Sequence, residues 1–182
     1  MSVIVVEFVT VDGVVEDPDG AGGTATGGWA FRHGPEAVAG DKFRLGSLLD
    51  TGTLLLGRTT WELFSKLWPG RTDEFSRRMN TIPKLVVSRT LTDVGAWNNS
   101  SLLHGDLVEE VTREERDLIV IGSIGIARTL ARQGLVDEYR LLVFPSLAGE
   151  GRRLFDGEVP ADLRLVTSEQ VGPAVLSTYR TR

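Results

Sequence analysis

The chain reads as an α/β protein: a mostly parallel central sheet with helices on both faces and antiparallel strands at its C-terminal edge. Three observations predict this. Apolar runs too continuous for one-sided strands, Val3-Ile4-Val5-Val6, Thr53 to Leu56 and Leu118-Ile119-Val120-Ile121, read as strands buried on both faces. Helical segments separate these runs, which is the alternation of βαβ units. The last third carries two alternating segments, Leu163 to Thr167 and Val175 to Tyr179, joined through Gly172-Pro173 as a hairpin at the sheet edge.

The first strand spans Val3 to Val11, and Asp12-Gly13 turns the chain. Residues 16 to 28 form a loop with Gly20, Gly22, Gly23, Gly27 and Gly28, mobile by composition. Pro35 and Glu36 suit a helix start, and Val38, Phe43, Leu45, Leu48 and Leu49 extend an apolar stripe to Asp50. The strand at Thr53 to Leu56 leads through Gly57-Arg58 into a helix whose Thr59-x-x-Glu62 is a capping-box pattern and which Pro69-Gly70 stops. A weaker helix covers Asp73 to Met79, and Lys84 to Val87 forms the next strand. A charged helix follows over Asp106 to Arg116, then the Leu118–Ile121 strand and a helix from Ile126 to Gln133 with Gly134 at C′. Arg140 to Phe144 is a strand closed by Pro145. No linker or repeat divides the chain, so residues 1–182 read as one domain.

Composition removes several function classes. Hydrophobic residues at 41% and charged residues at 25% are those of a globular protein rather than a disordered or fibrous one. A net charge of −5 offers no basic face for nucleic acid. Ser2 to Val11 has no basic flank and is too short to span a bilayer, so neither a signal peptide nor a membrane helix is expected there. There is no cysteine, which excludes disulfides, thiol nucleophiles and Cys-based metal sites and suits a reducing cytoplasm; no metal site is expected. Glycine, at 21 residues, exceeds the roughly 13 that average usage of ~7% would supply.

Three strand ends share a design: Gly57-Arg58-Thr59-Thr60, Ser88-Arg89-Thr90 and Gly122-Ser123-Ile124-Gly125. The first and third open helices, whose N-termini offer unpaired N–H groups and a positive dipole end to phosphate beyond the carboxyl ends of strands. Glycine allows close backbone approach to a diphosphate, and Arg58 and Arg89 suit a guanidinium clamp on a further phosphomonoester, as on the 2′-phosphate of NADPH.

Leu54-Leu55-Leu56-Gly57-Arg58-Thr59-Thr60-Trp61-Glu62, Val86-Val87-Ser88-Arg89-Thr90 and Val120-Ile121-Gly122-Ser123, in this order and spacing, resemble the cofactor segments of dihydrofolate reductase. Thr10-Val11-Asp12-Gly13, Leu135-Val136-Asp137-Glu138-Tyr139-Arg140, Pro145 and Gly149-Glu150-Gly151-Arg152-Arg153-Leu154-Phe155 resemble the reductase domain of the bacterial bifunctional riboflavin-biosynthesis deaminase-reductase in its stand-alone form. The resemblance covers residues 3 to 180. It implies a dihydrofolate reductase-like fold, NADPH as cofactor, a homodimer, and hydride transfer to a pyrimidine-ribosylamine or a similar C=N or C=O substrate, as in 5-amino-6-(5-phosphoribosylamino)uracil reductase. A dihydrofolate or pterin reductase and a non-catalytic nucleotide-binding protein are the alternatives. Carried onto this sequence, Gly57, Arg58, Thr59 and Thr60 hold the pyrophosphate and adenosine end, Ser88 and Arg89 the 2′-phosphoribose, and Gly122, Ser123, Ile124 and Gly125 the nicotinamide side. The glycine-rich loop before Trp29 corresponds to a lid over nicotinamide and substrate. Without cysteine, these residues cannot carry the zinc deaminase signature, so no deaminase activity is expected of them.

Reduction of a C=N or C=O group needs a proton as well as a hydride, so an acid or an ordered water must lie near the acceptor. Asp12 leads as catalytic residue, against the alternative of a turn Asp bonding its own backbone. Trp29 and Glu36 are expected to contact substrate. His33 lies in the same loop, His104 in a connection, and Arg152 and Arg153 in a glycine-rich turn open to an anion or a dimer partner.

Overall fold

A computed structural model describes residues 1–157 and 160–182. Among these, eight strands form one sheet in the order β4-β3-β2-β5-β1-β6-β8-β7. They are β1 (Val3–Thr10), β2 (Thr53–Gly57), β3 (Lys84–Val87), β4 (Ser100–Leu102), β5 (Leu118–Ile121), β6 (Glu138–Phe144), β7 (Leu163–Val171) and β8 (Ala174–Thr181). The strands from β4 to β6 are parallel, and β8 and β7 complete the sheet as an antiparallel hairpin turned at Gly172. The hairpin is longer than expected, and β4 is an addition: with only three residues, two of them serine, it gives no apolar run to read.

Alternation sorts the side chains of β1 onto two faces. Val3, Val5 and Val9 point to the face covered by α4 (Leu107–Arg113), α5 (Ile124–Arg132), Val15 and Leu154. Ile4 and Val6 point to the other, covered by α1 (Leu48–Thr51), α2 (Arg58–Leu67) and α3 (Glu74–Thr81), and Phe8 joins Trp29 and Phe144 in a third apolar cluster. Leu54, Leu55 and Leu56 expose nothing, and each such burial contributes about 1.5–3 kcal/mol. The central strands are therefore the rigid part of the molecule.

The stripe from Pro35 to Asp50 does not form one helix. Its residues pack through two 3₁₀ turns, Phe31–His33 and Pro35–Ala37, and the single turn of α1. Gly40, Arg44 and Gly46 all take positive φ, which an α-helix cannot contain, and the Asp41 carboxylate accepts the N–H groups of Leu45 and Gly46 instead. The apolar side chains are buried by turns rather than by a helical face. Elsewhere the expected elements form within a few residues, and Gly134 takes the left-handed C′ position after α5.

Candidate functional site

The chain leaves β2 on α2, toward β3, and leaves β5 on α5, toward β6 on the far side of β1. Because α2 and α5 pack on opposite faces, a crevice opens between the carboxyl ends of the adjacent strands β2 and β5. This is a topological switch point, where open α/β sheets bind ligands. The three segments singled out in the sequence meet here. Gly57 pairs with Val87, which sets Arg58 level with Ser88, and the Gly122 turn lies on the opposite side of β2.

The capping box does not form. Gly57 is itself the N-cap of α2, so Thr59 falls inside the first turn and no side chain caps the helix. The N-terminus of α5 is also uncapped, because the Ser123 hydroxyl turns back to the sheet: it accepts the Gly57 N–H at 2.9 Å and donates to the Ile121 carbonyl at 3.1 Å. By contrast α3 and α4, away from the crevice, are capped by Asp73 and Asp106. Two helices thus aim unsatisfied N–H groups and positive dipole ends at one crevice. Arg58 and Arg89 stand exposed beside it, and neither makes a hydrogen bond or ion pair among the described residues. Such a donor set fits a polyphosphate with an additional phosphomonoester.

The individual residues divide by what remains available. Thr59 and Gly125 are exposed, and Gly122 takes φ 61° with an added Cβ placed 3.4 Å from the Thr60 methyl, so only glycine fits this turn without strain. Thr60 locks the crevice by donating to the Gly122 carbonyl at 3.1 Å. The Ile124 side chain is buried with α5 in the core, leaving only its backbone to a ligand. Ser123 is a brace between β2 and β5, and the Ser88 hydroxyl accepts from the N–H groups of Thr90 and Leu91, shaping the turn that presents Arg89.

Asp12 is not a free acid. Its carboxylate accepts from the Thr10 hydroxyl at 2.6 Å, from Gly149 N–H at 2.7 Å and from Ala148 N–H at 3.1 Å, and these bonds, the first above all, lower it to about 2. Asp12 is an ionised clamp that ties the end of β1 to the 146–149 turn. Trp29 also departs from expectation: it is 1% exposed, donates its indole N–H to the Glu16 carbonyl and packs edge-on against Phe144, so it presents no face to a substrate. Glu36 is exposed on the second 3₁₀ turn and has no partner among the described residues. His33 bonds the Ser146 hydroxyl at 2.9 Å.

The glycine-rich loop is stapled rather than slack. The Asp17 carboxylate accepts from Gly22 N–H, Thr24 N–H and the Thr24 hydroxyl, and a Cβ at Gly27 would lie 2.2 Å from its Oδ2. Gly27 is glycine because a carboxylate occupies the space of its side chain.

One polar residue escaped the sequence reading. Glu7, the one charged residue in β1, is 4% exposed; its Oε1 has no hydrogen-bond partner, and burial pushes the carboxyl up to about 8. A carboxylate inside an otherwise apolar central strand was the available signal. Two surface hollows, of about 670 and 770 Å³, lie elsewhere, one lined by Leu49, Arg78 and Ile82, the other by Arg128, Tyr139 and Phe155; neither includes a residue of the crevice.

Sheet order, crossover pattern and strand-end crevice define a dihydrofolate reductase-like α/β protein. The chain belongs to the family of the RibD C-terminal domain, whose model matches residues 1–177; this is a reductase family that generally uses a nicotinamide cofactor. The chain is 28% identical over 134 residues to the uncharacterized protein YyaP of Bacillus subtilis (strain 168), covering 68% of this chain and 70% of that one. Among solved structures, it is similar to the "Putative riboflavin biosynthesis protein" of Shewanella sp. PV-4, at TM-score 0.76 and 22% identity over 100% of this chain and 99% of that one. A pyrimidine reductase-like protein of Corynebacterium diphtheriae matches at TM-score 0.65 and 12% identity, covering 100% and 92%. At these identities the two structures speak to the fold. Among the described residues no helix is long and apolar enough to cross a membrane.

Proposed function

We propose that the protein is an NADPH-dependent reductase acting on a pyrimidine-ribosylamine or a comparable C=N or C=O compound. The observation that carries the reading is the crevice between β2 and β5, where two uncapped helix N-termini converge beside the unpaired guanidinium groups of Arg58 and Arg89. Backbone N–H groups at Thr59 and Thr60 would hold the pyrophosphate, Arg58 with Arg89 the 2′-phosphate, and the Gly122–Gly125 turn the nicotinamide side. A reduced nicotinamide, when bound, supplies the hydride. Ser123 and Thr60 keep the two strand ends at fixed spacing, and the Asp12 clamp with the Asp17-stapled loop closes the β1 side of the site. A homodimer is part of the proposal. It is supported by β7, where residues 164–170 are exposed on both faces and include Leu165 and Val166, an uncovered edge of a kind proteins bury or blunt; sedimentation of the intact protein tests it.

Nicotinamide fluorescence during titration with NADPH and NADH tests the cofactor. Sub-millimolar NADPH binding is expected, with Arg58→Ala and Arg89→Ala each weakening NADPH about tenfold and leaving NADH unchanged, the effect of losing one charge-assisted contact. A folded protein that does not bind NADPH overturns the reading.

A further inference from the structure

Glu7 has no role in folding that its surroundings explain. In the parallel pairing of β1 with β5, Val6 lies opposite Ile121, so Glu7 is level with Gly122, where β5 ends and the chain turns into α5. On the other side Glu7 pairs with Leu141 of β6. Alternation from Val5 and Val9 directs its side chain to the face on which α5 begins. A carboxyl there is beside the nicotinamide side of the crevice, at the uncapped N-terminus of a nine-residue helix.

The elements covering this face bring no compensating charge. Their titratable or charged groups are Asp12 and Glu16 after β1, Glu109, Glu110 and Arg113 of α4, which pair with one another, Arg128 and Arg132 of α5, Tyr139 of β6, and Arg152, Arg153 and Asp156 of the segment that covers α5. Asp12 is filled by its three donors, and Glu16 accepts the Arg152 N–H. Arg128 bonds the Arg153 carbonyl and Asp156, while Arg153 bonds the Asp12 carbonyl. None of them bonds Glu7, whose Oε1 stays unpartnered. Buried polar groups are normally paired, and one left open in a rigid central strand points to a partner supplied by a ligand.

We propose that Glu7 acts as a neutral carboxylic acid that donates its O–H to the amide carbonyl of the nicotinamide ring, fixing that ring at the start of α5. The assignment rests on the nicotinamide reading of the crevice. The amide carbonyl is an acceptor that a carboxylic acid satisfies and an ionised carboxylate repels. Desolvation keeps the proton on Glu7 through neutral pH, in keeping with this role.

The test measures dissociation constants of NADPH and of 2′-phospho-ADP-ribose, which lacks nicotinamide, from pH 6.5 to 9.5 for the wild type, Glu7→Gln and Glu7→Leu. Wild-type affinity for NADPH is expected to fall about tenfold as pH rises through 8, the value of one hydrogen bond to an uncharged ligand. Glu7→Gln, which keeps a donor but cannot ionise, binds NADPH within a few-fold of wild type at pH 7 with no fall above 8. Glu7→Leu is about tenfold weaker at every pH. Binding of 2′-phospho-ADP-ribose shows none of these differences. If Glu7→Leu weakens both ligands equally, or if NADPH binds all three proteins alike at every pH, the Glu7 assignment is overturned while the crevice reading stands. If the folded wild type binds 2′-phospho-ADP-ribose but not NADPH, or binds neither, the nicotinamide reading itself fails.

Discussion

Glu7 sets the sharpest stability prediction. Its carboxyl titrates near 4.5 in the unfolded chain and at about 8 in the fold, so between these values the folded state binds more protons than the unfolded one. Stability therefore falls as pH rises through that window. For a shift from 4.5 to about 8, linkage gives a loss of about 3–4 kcal/mol between pH 5 and pH 8. Glu7→Gln cannot ionise and removes this slope. Other carboxylates with shifted values, Asp12, Asp17, Asp73 and Glu138, are lowered and are present in both proteins. His33 and His104 are common to both proteins and cancel in the difference. The assay is urea unfolding of wild type and Glu7→Gln at half-unit intervals from pH 5 to 8, read as the difference in unfolding free energy. The variant is expected to gain about 3–4 kcal/mol on the wild type across the series. A difference constant to within about 1 kcal/mol would show that Glu7 is ionised in the fold and refute the argument.

Three further outcomes are expected. Ser123→Ala removes the acceptor of the Gly57 N–H and should cost about 1–3 kcal/mol in urea unfolding, with NADPH binding weakened as the two strand ends lose their brace. Gly27→Ala drives a methyl into the Asp17 carboxylate, so hydrogen exchange should accelerate at Gly22 and Thr24 while the central strands keep their protection. Lys84 is 1% exposed, donates to the Asn80 and Asn98 carbonyls and sits 4.3 Å from the Trp97 ring centroid; burial lowers it to about 7. Because the unfolded chain holds that proton up to about 10.5, Lys84 adds stability as pH rises above 7; Glu7 is common to both proteins, so the stability of the wild type relative to Lys84→Met should rise between pH 7 and pH 9 in urea unfolding.

The fold was legible where apolar continuity reported burial on both faces. Val3–Val6, Leu54–Leu56 and Leu118–Ile121 became the central parallel strands, and the segments after β2, β3 and β5 lie side by side because those strands are neighbours. Where apolar spacing was carried by turns, as from Pro35 to Asp50, periodicity misled: an Asp41 carboxylate bonding local N–H groups competes with helix and leaves no mark on the hydrophobic pattern. The same physics separates the site residues. Gly57, Arg58, Gly122 and Arg89 could be placed together because strand ends and the glycine and arginine that follow them are visible as residue types. The role of Asp12 depends on Ala148 and Gly149, more than 130 residues away, and no local pattern encodes that clamp. Thr59-x-x-Glu62 matched a cap, but Gly57 starts the helix earlier and leaves its first N–H groups open, which is what an anion site requires.

Backbone amide shifts of the ¹⁵N-labelled protein on adding NADPH test the central claim most directly, because they locate the cofactor rather than only detect it. The largest changes are expected at Gly57 to Trp61 and Gly122 to Ile126, with Ser88 to Thr90 following when the 2′-phosphate is present and not with NADH. Changes confined to the hollow lined by Leu49, Arg78 and Ile82, or to that lined by Arg128, Tyr139 and Phe155, would place the ligand away from the switch point and contradict the account.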